Sequence, residues 1–557
     1  MATGVSIDRR AKLRRLAEDD FDLLVIGGGI NGAGTAREAA LRGLRVAMVE
    51  KGDFASGTSS RSSKLIHGGI RYLETGDVAL VLESSRERDL LRRRLAPHLV
   101  RPLPFVFPVY RSGPVGMWKL RAGMVAYDLL ATFRNIDRHR MFSAARLFEV
   151  EPALRREELR GGALYYDCWT DDSRLVLETV LAGEMAGATC LNYVALDSFA
   201  KRDGRLCGAT IRDLEGEGET TIRARTIVNA TGPWLDRIRT LDDSGAAPCL
   251  RPTKGVHIVV PRERLGNRNA IVLNAVRDGR VLFAIPWEDS AIVGTTDTDY
   301  TGSPDDVEAD AGDVAYLLET ANHYFPAARL VESDVTSTFA GLRPLVSSEP
   351  GETPSEVSRE EAIFESASGL LSIGGGKLTT YRRVAIKVVD RIAARLRRDF
   401  DIVARDRSGT DREPLPGGHL TDLERFAREL ETQNPTPDVS VARIARQYGS
   451  RAKDFLERVR DLAWWREPLA PGTPHVRGEA WFSAATEHAR RLEDVLRRRT
   501  SVALRTSDRG ASSAEPASRA MADALGWDDR VRTERLREYL DGAGERWRGE
   551  PRERKKA

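Results

Sequence analysis

Cysteine is scarce. The chain has four in 557 residues, Cys168, Cys190, Cys207 and Cys249, scattered and with no CxxC pair. That spacing indicates neither a zinc site nor a disulfide framework, so no metal is expected and a reducing compartment is the default. Net charge is scarce too: 86 Lys and Arg against 83 Asp and Glu leave +3, which gives no support to nucleic-acid binding as the main activity. Long hydrophobic runs are missing, none approaching the roughly twenty residues that span a bilayer. The Arg-rich start runs into Glu18, Asp19 and Asp20 without a long apolar segment, which argues against a secretory signal. What remains is an ordinary globular composition, 41% hydrophobic and 30% charged, soluble or peripherally attached. The length calls for about two or three domains.

Against these absences, one stretch stands out. Leu23-Leu24-Val25-Ile26 is an apolar run of strand length, Gly27-Gly28-Gly29-Ile30-Asn31-Gly32 follows, and an alanine-rich helical pattern continues through Leu41. This reads as a parallel strand turning into a helix whose N-terminus faces a phosphate. Gly27 permits the tight turn, Gly29 lets backbone approach a pyrophosphate, and Gly32 lets the helix pack on the strand. A second strand, 44–50, ends in Glu50, placed to accept hydrogen bonds from ribose hydroxyls.

The loop 52–64 is crowded with glycine, hydroxyl and basic groups and leads into Leu65-Ile66-His67-Gly68-Gly69-Ile70-Arg71-Tyr72. Its place after a nucleotide unit makes it a cofactor-facing loop. A helix is expected over 78–95, a strand of another domain over 101–110 and a helix over 117–133. Asp171 and Asp172 read as caps of a helix beginning near Ser173. Strands follow at 192–196, 226–230, 251–260, 281–287 and 291–297, the last two alternating as adjacent antiparallel strands do. A second strand, glycine cluster and helix spans 370–397. After a Pro/Gly linker at 413–418, helical patterns at 421–432, 440–447, 450–461, 478–498 and 515–542 form a separate domain. The basic tail at 552–556 is expected to be disordered.

The turn Asn229-Ala230-Thr231-Gly232-Pro233-Trp234 resembles the second signature of two-dinucleotide-binding-domain flavoproteins. With 62–74, Cys168-Trp169-Thr170-Asp171-Asp172, Lys254-Gly255-Val256-His257, Gly294-Thr295-Thr296-Asp297 and Gly374-Gly375-Gly376-Lys377-Leu378-Thr379-Thr380-Tyr381-Arg382, the chain from about 20 to 505 resembles the FAD-dependent, aerobic, quinone-linked glycerol-3-phosphate dehydrogenases.

The resemblance implies an α/β, glutathione-reductase-like FAD fold. Its FAD-binding domain would be discontinuous (20–80, 165–250 and 340–400), interleaved with a β-rich substrate domain (81–164 and 251–339) and followed by an all-α domain (408–545). It implies FAD held by Gly27, Gly29, Gly32, Glu50, Thr58, Ser59, Ser60, Lys64, Leu65, His67, Val194, Ala230, Thr231, Gly232, Gly376, Leu378 and Thr379. The substrate would be glycerol 3-phosphate, oxidised at C2 to dihydroxyacetone phosphate. Planar guanidinium forks suit its phosphate: Arg71, Arg343 and Arg359, with Tyr72 and Tyr381 as hydroxyl donors. Either His257 or Lys377 is the base, His257 slightly ahead, with Lys377 polarising the oxygen. Around Arg359 the family pattern is less closely kept.

A quinone is the implied electron acceptor. The alternatives are a glycerol-3-phosphate oxidase using oxygen, an amine or amino-acid oxidase of the same superfamily, or a non-catalytic interaction protein. A cytoplasmic location is expected, and contact with the inner face of the cell membrane and a homodimer stay open.

Overall fold

The computed structural model describes residues 8–69, 77–130, 136–216, 218–346, 361–436 and 438–545. Arg71, Tyr72, Arg359 and the basic tail lie outside them.

The apolar run beginning at Leu23 lies in the strand Asp20–Ile26, buried except at its first residue. Burial of both faces is what a continuous apolar run requires of a parallel strand. Val46–Glu50 and Glu219–Asn229 flank it in parallel. Thr189–Asn192 extends the sheet beyond Val46–Glu50, and Leu371–Gly374 extends it beyond Glu219–Asn229. The antiparallel Ala362–Glu365 closes that side, and a hairpin of Val194–Arg202 and Arg205–Asp213 completes eight strands. The helices Ile30–Leu41, Asp172–Met185 and Tyr381–Phe400 share one core cluster on this sheet. Small residues permit their close approach: a Cβ on Gly34 would stand 2.8 Å from the Tyr381 ring.

The second sheet has ten strands among the described residues. Its long members pair antiparallel, Arg101–Tyr110 with Leu159–Trp169 and Leu250–Pro261 with Ser337–Val346, while Arg101–Tyr110 also pairs parallel with Ala270–Asn274. The expected domain boundaries at 164/165 and 339/340 fall inside two of these strands, each of which belongs wholly to the second sheet. Leu65–Ile66, expected on the cofactor side, also pairs there, with Trp169 and Cys168. Both halves of each of these two strands are hydrogen-bonded within the second sheet, so the division follows strand ends rather than the expected numbers.

Beyond 408 the chain is helical, as Leu423–Gln433, Val441–Tyr448, Ala452–Val459, Arg477–Thr486, Ala511–Leu525 and Asp529–Glu545. Two expected long helices are broken. The 478–498 pattern stops after Thr486, with His488 at φ 59°, and the 515–542 pattern stops at Gly526, at φ 67°. The helix expected over 78–95 is α-helical over Val78–Leu90 and π-helical over Leu91–Leu95. Among the described residues no helix is long and apolar enough to cross a membrane, and no group of three or more His, Cys, Asp or Glu could hold a metal.

Candidate active site

A cavity of about 500 Å³ opens where the first sheet's strands end. At its nucleotide end the glycine turn is held by main chain. Gly27 N–H donates to Val49 O (2.8 Å) and Ala230 N–H to Ile26 O (2.8 Å). Gly27 has φ 110°, and a Cβ there would lie 2.6 Å from Ala230 O, while one on Gly32 would lie 1.9 Å from Gly27 O. Only hydrogen fits at either place. The helix Ile30–Leu41 begins beside the cavity with no side-chain cap, so its N-terminal N–H groups suit a phosphate. Ser59 Oγ accepts from one of them, Ile30 N, at 3.0 Å.

Glu50 ends its strand on the cavity wall. Its carboxylate accepts from Gly28 N–H (2.7 Å) and Gly52 N–H (2.8 Å), and burial raises its pKa against those two bonds. These contacts use only part of its accepting capacity, leaving room for ribose hydroxyls.

The donor set fits FAD. The cavity runs from Glu50 and Gly29 past Ala230, Thr231 and Gly232 to Gly376, Lys377 and Leu378. Midway, Asn31 Nδ2 donates to Gly375 O (3.2 Å), and its Oδ1 is buried with no partner among the described residues. A buried acceptor left so is an unmet hydrogen-bond demand that a ligand can satisfy.

Of the expected cofactor contacts, Gly27, Gly29, Glu50, Thr58, Ser59, Val194, Ala230, Thr231, Gly232, Gly376 and Leu378 line this cavity. The others are not on its wall. Gly32 serves helix packing. Ser60 Oγ donates to Gly57 O. Lys64 is buried in an ion pair with Asp172 (2.6 Å), and Leu65 is core of the second sheet. His67 N–H donates to Thr379 Oγ1 (3.3 Å), joining two expected contacts to each other. Asp171 is the N-cap, and Asp172, which accepts from the first-turn Ser173 N–H (2.9 Å), is also the partner of Lys64 and Ser62. Sequence reasoning missed Asn31, Trp234 and Lys51 on the wall; Lys51 Nζ lies 4.1 Å from the Trp234 ring centre. Asn31 sits inside the glycine motif and was visible there.

At the other end the second sheet meets the first. Gly375 N–H donates to Pro344 O (3.1 Å), which brings the strand carrying Arg343 against the turn carrying Lys377; Pro344 and Lys377 both line the cavity. Arg343 donates to Asp297 Oδ1 (2.9 Å), Thr295 Oγ1 (3.0 Å) and Thr296 O (3.1 Å). It lies flat against Gly255, where a Cβ would stand 2.5 Å from the guanidinium. Arg280 shares Asp297.

His257, 3% exposed, stacks on Phe339 at 4.7 Å, and its Nε2 is 2.8 Å from Ser63 Oγ. Burial, then Arg343 and Lys64, push its pKa down to about 3. It stands behind the cavity wall rather than on it. Tyr381, expected to offer its hydroxyl to substrate, does not. Its ring is 1% exposed in the first core cluster, under Gly34, and its hydroxyl meets Thr179 Oγ1 at 3.5 Å. The helix starts at Tyr381 and turns that side chain into the helical layer.

The family model described as "FAD dependent oxidoreductase" matches residues 22–382, and that described as "C-terminal domain of alpha-glycerophosphate oxidase" matches 408–532. A glycerol-3-phosphate dehydrogenase of Synechocystis sp. is 37% identical over 540 residues, covering 93% of this chain and 95% of that one. An aerobic glycerol-3-phosphate dehydrogenase of Staphylococcus haemolyticus is 36% identical, covering 89% of each. Among solved structures, the glycerol-3-phosphate dehydrogenase of Bacillus halodurans complexed with FAD superposes with a TM-score of 0.80 at 32% identity, covering 97% of both chains. With the cavity and these likenesses together, the chain belongs to the FAD-dependent oxidoreductases and, among them, to the glycerol-3-phosphate dehydrogenases.

Proposed function

We propose that the protein oxidises sn-glycerol 3-phosphate at C2 to dihydroxyacetone phosphate and passes the electrons to a quinone. The observation that carries this reading is the junction at one end of the FAD-sized cavity, where Lys377 adjoins the strand of Arg343, with His257 just behind. Bound FAD would supply the acceptor for the hydride lost from C2. Arg343, held by Asp297, Thr295 and Thr296, meets the phosphate through its charge and the donors those bonds leave. Arg280 shares Asp297 with Arg343 and also lies 3.7 Å from Asp278. Arg71, Tyr72 and Arg359 are further proposed contacts.

The C2 hydroxyl proton goes to His257, with Lys377 polarising the oxygen. An imidazole held at about 3 is neutral, hence able to accept, through the working pH range. A phosphate dianion beside Arg343 offsets the cations that depress it, raising its proton affinity once substrate is bound.

A lipid-borne quinone calls for a membrane-facing surface. The helix Met117–Leu130 exposes Trp118 (80%), Val125 and Leu129, with exposed Lys119 and Arg121 beside them. An apolar face edged with cations suits the anionic inner leaflet.

Anaerobic addition of glycerol 3-phosphate to the purified holoprotein is expected to bleach its flavin absorbance; unchanged absorbance would sink the reading. The C-terminal family is named from an oxidase, so oxygen is the competing acceptor. Reduction of a quinone analogue without peroxide supports the quinone, and stoichiometric peroxide supports oxygen.

A further inference from the structure

The 52–57 loop forms part of the nucleotide end of the cavity. Gly52 N–H holds Glu50 (2.8 Å), Ala55 N–H donates to Gly28 O (3.0 Å), and the Phe54 ring stands where a Cβ on Gly28 would be, at 2.6 Å. Ser56 and Gly57 are on the wall itself.

Asp53 points the other way, into the C-terminal helical region. Its Oδ2 accepts from Arg498 Nε (2.6 Å) and Arg499 Nη1 (2.7 Å), and its Oδ1 from Arg499 Nη2 (2.9 Å) and Asn192 Nδ2 (3.1 Å). Asn192 also donates to His488 O (2.8 Å), and the His488 ring meets Phe54 edge-on at 5.3 Å. Asp53, Arg498 and Arg499 are all buried. Burial would raise the Asp53 pKa, but Arg499 and Arg498 outweigh it and hold the carboxyl at about 2. Two guanidinium groups converge on this buried carboxylate, Arg498 also reaching Asp494 Oδ1 through Nη2 (2.6 Å), and they fix its position and punish its loss.

We propose that the Arg498–Arg499 pair positions the cofactor pocket: through Asp53 it fixes the 52–57 loop against the glycine turn and so sets how firmly FAD is retained. The inference rests on the FAD-dependent family assignment. It gives the C-terminal region a task at the nucleotide end of the site, more than four hundred positions earlier in the chain, as Asp53 and Arg499 are separated by 446 residues.

The test compares two conservative changes at one buried interface. Asp53→Asn removes the clamp's charge. Glu487→Gln weakens the neighbouring buried pairs of that side chain with Arg174 and Arg451, neither of them on the loop, and leaves in place the Glu487 main-chain oxygen that accepts from Arg499 Nη2. Flavin release from each holoenzyme is followed by the rise in free-FAD fluorescence on dilution, with Tm measured alongside. Asp53→Asn is expected to release FAD about tenfold faster and Glu487→Gln within about twofold of the parent, although both lower Tm. With excess FAD, Asp53→Asn should regain the parent KM for glycerol 3-phosphate. Should Asp53→Asn fail to fold, Arg499→Lys, which keeps the charge and loses the fork, is expected to speed release several-fold. Parallel acceleration in Asp53→Asn and Glu487→Gln, or unchanged release in the clamp variants, overturns the proposal. A parent protein that carries no flavin would instead contradict the family assignment.

Discussion

The nucleotide end of the cavity and its substrate end are built from different materials. At the first, the contacts that shape the site are main chain: Gly27 N–H on Val49 O, Ala230 N–H on Ile26 O, Gly28 and Gly52 N–H on Glu50. At the second, side chains from distant strands do the work: His257 on Ser63, and Arg343 on Asp297 and Thr295. A backbone-built site fails where its main chain is displaced, by steric intrusion or by loss of the Asp53 brace behind it, and a side-chain-built site by loss of charge or proton affinity. The two ends should therefore be separable by mutation.

The largest effect is expected at the backbone end. Gly32→Ala places a Cβ 1.9 Å from Gly27 O, destabilising by about 3 kcal/mol and emptying the site, which flavin content per purified chain would report. Next, His257→Ala should keep its flavin but slow reduction in a single turnover by about a hundredfold or more.

The same residue carries a pH signature. Its folded pKa of about 3 lies below the ordinary 6.5, so the unfolded chain binds the proton more readily. This stability term is complete above pH 6.5 and is lost as pH falls towards 3. Denaturant titrations at pH 7 and pH 5 should show His257→Asn losing about 2 kcal/mol less than the parent over that interval. Arg343→Lys keeps the charge without the fork and should raise KM for glycerol 3-phosphate about tenfold. Tyr110→Phe, which loses one hydrogen bond to Arg155 O (3.1 Å) at neither end, should cost about 1 kcal/mol in Tm-derived stability with little change in either end's function.

The two ends also differed in how far the sequence revealed them. Gly27, Gly29 and Glu50 could be read directly, because a strand, a glycine turn and a terminal acid are local features and their order is the geometry. The substrate end comes together through strand pairing across hundreds of positions. Residue type and motif could single out His257 and Arg343, but the local pattern could not say that Arg343 would lie on Asp297. Nor could it say that Tyr381 would turn inward to fill the space left by Gly34, or that Lys64 would be drawn into an ion pair with Asp172. The helix breaks at His488 and Gly526 were lost in a continuous apolar periodicity. Nothing local singles out Arg498 and Arg499 in an Arg-rich chain, since their partner Asp53 is at the other end of the sequence.

Single-turnover reduction of holo His257→Ala, with flavin occupancy measured on the same sample, tests the division most directly. The division predicts full occupancy with reduction slowed by about a hundredfold. Reduction at the parent rate, or a preparation that has lost its flavin, would contradict it.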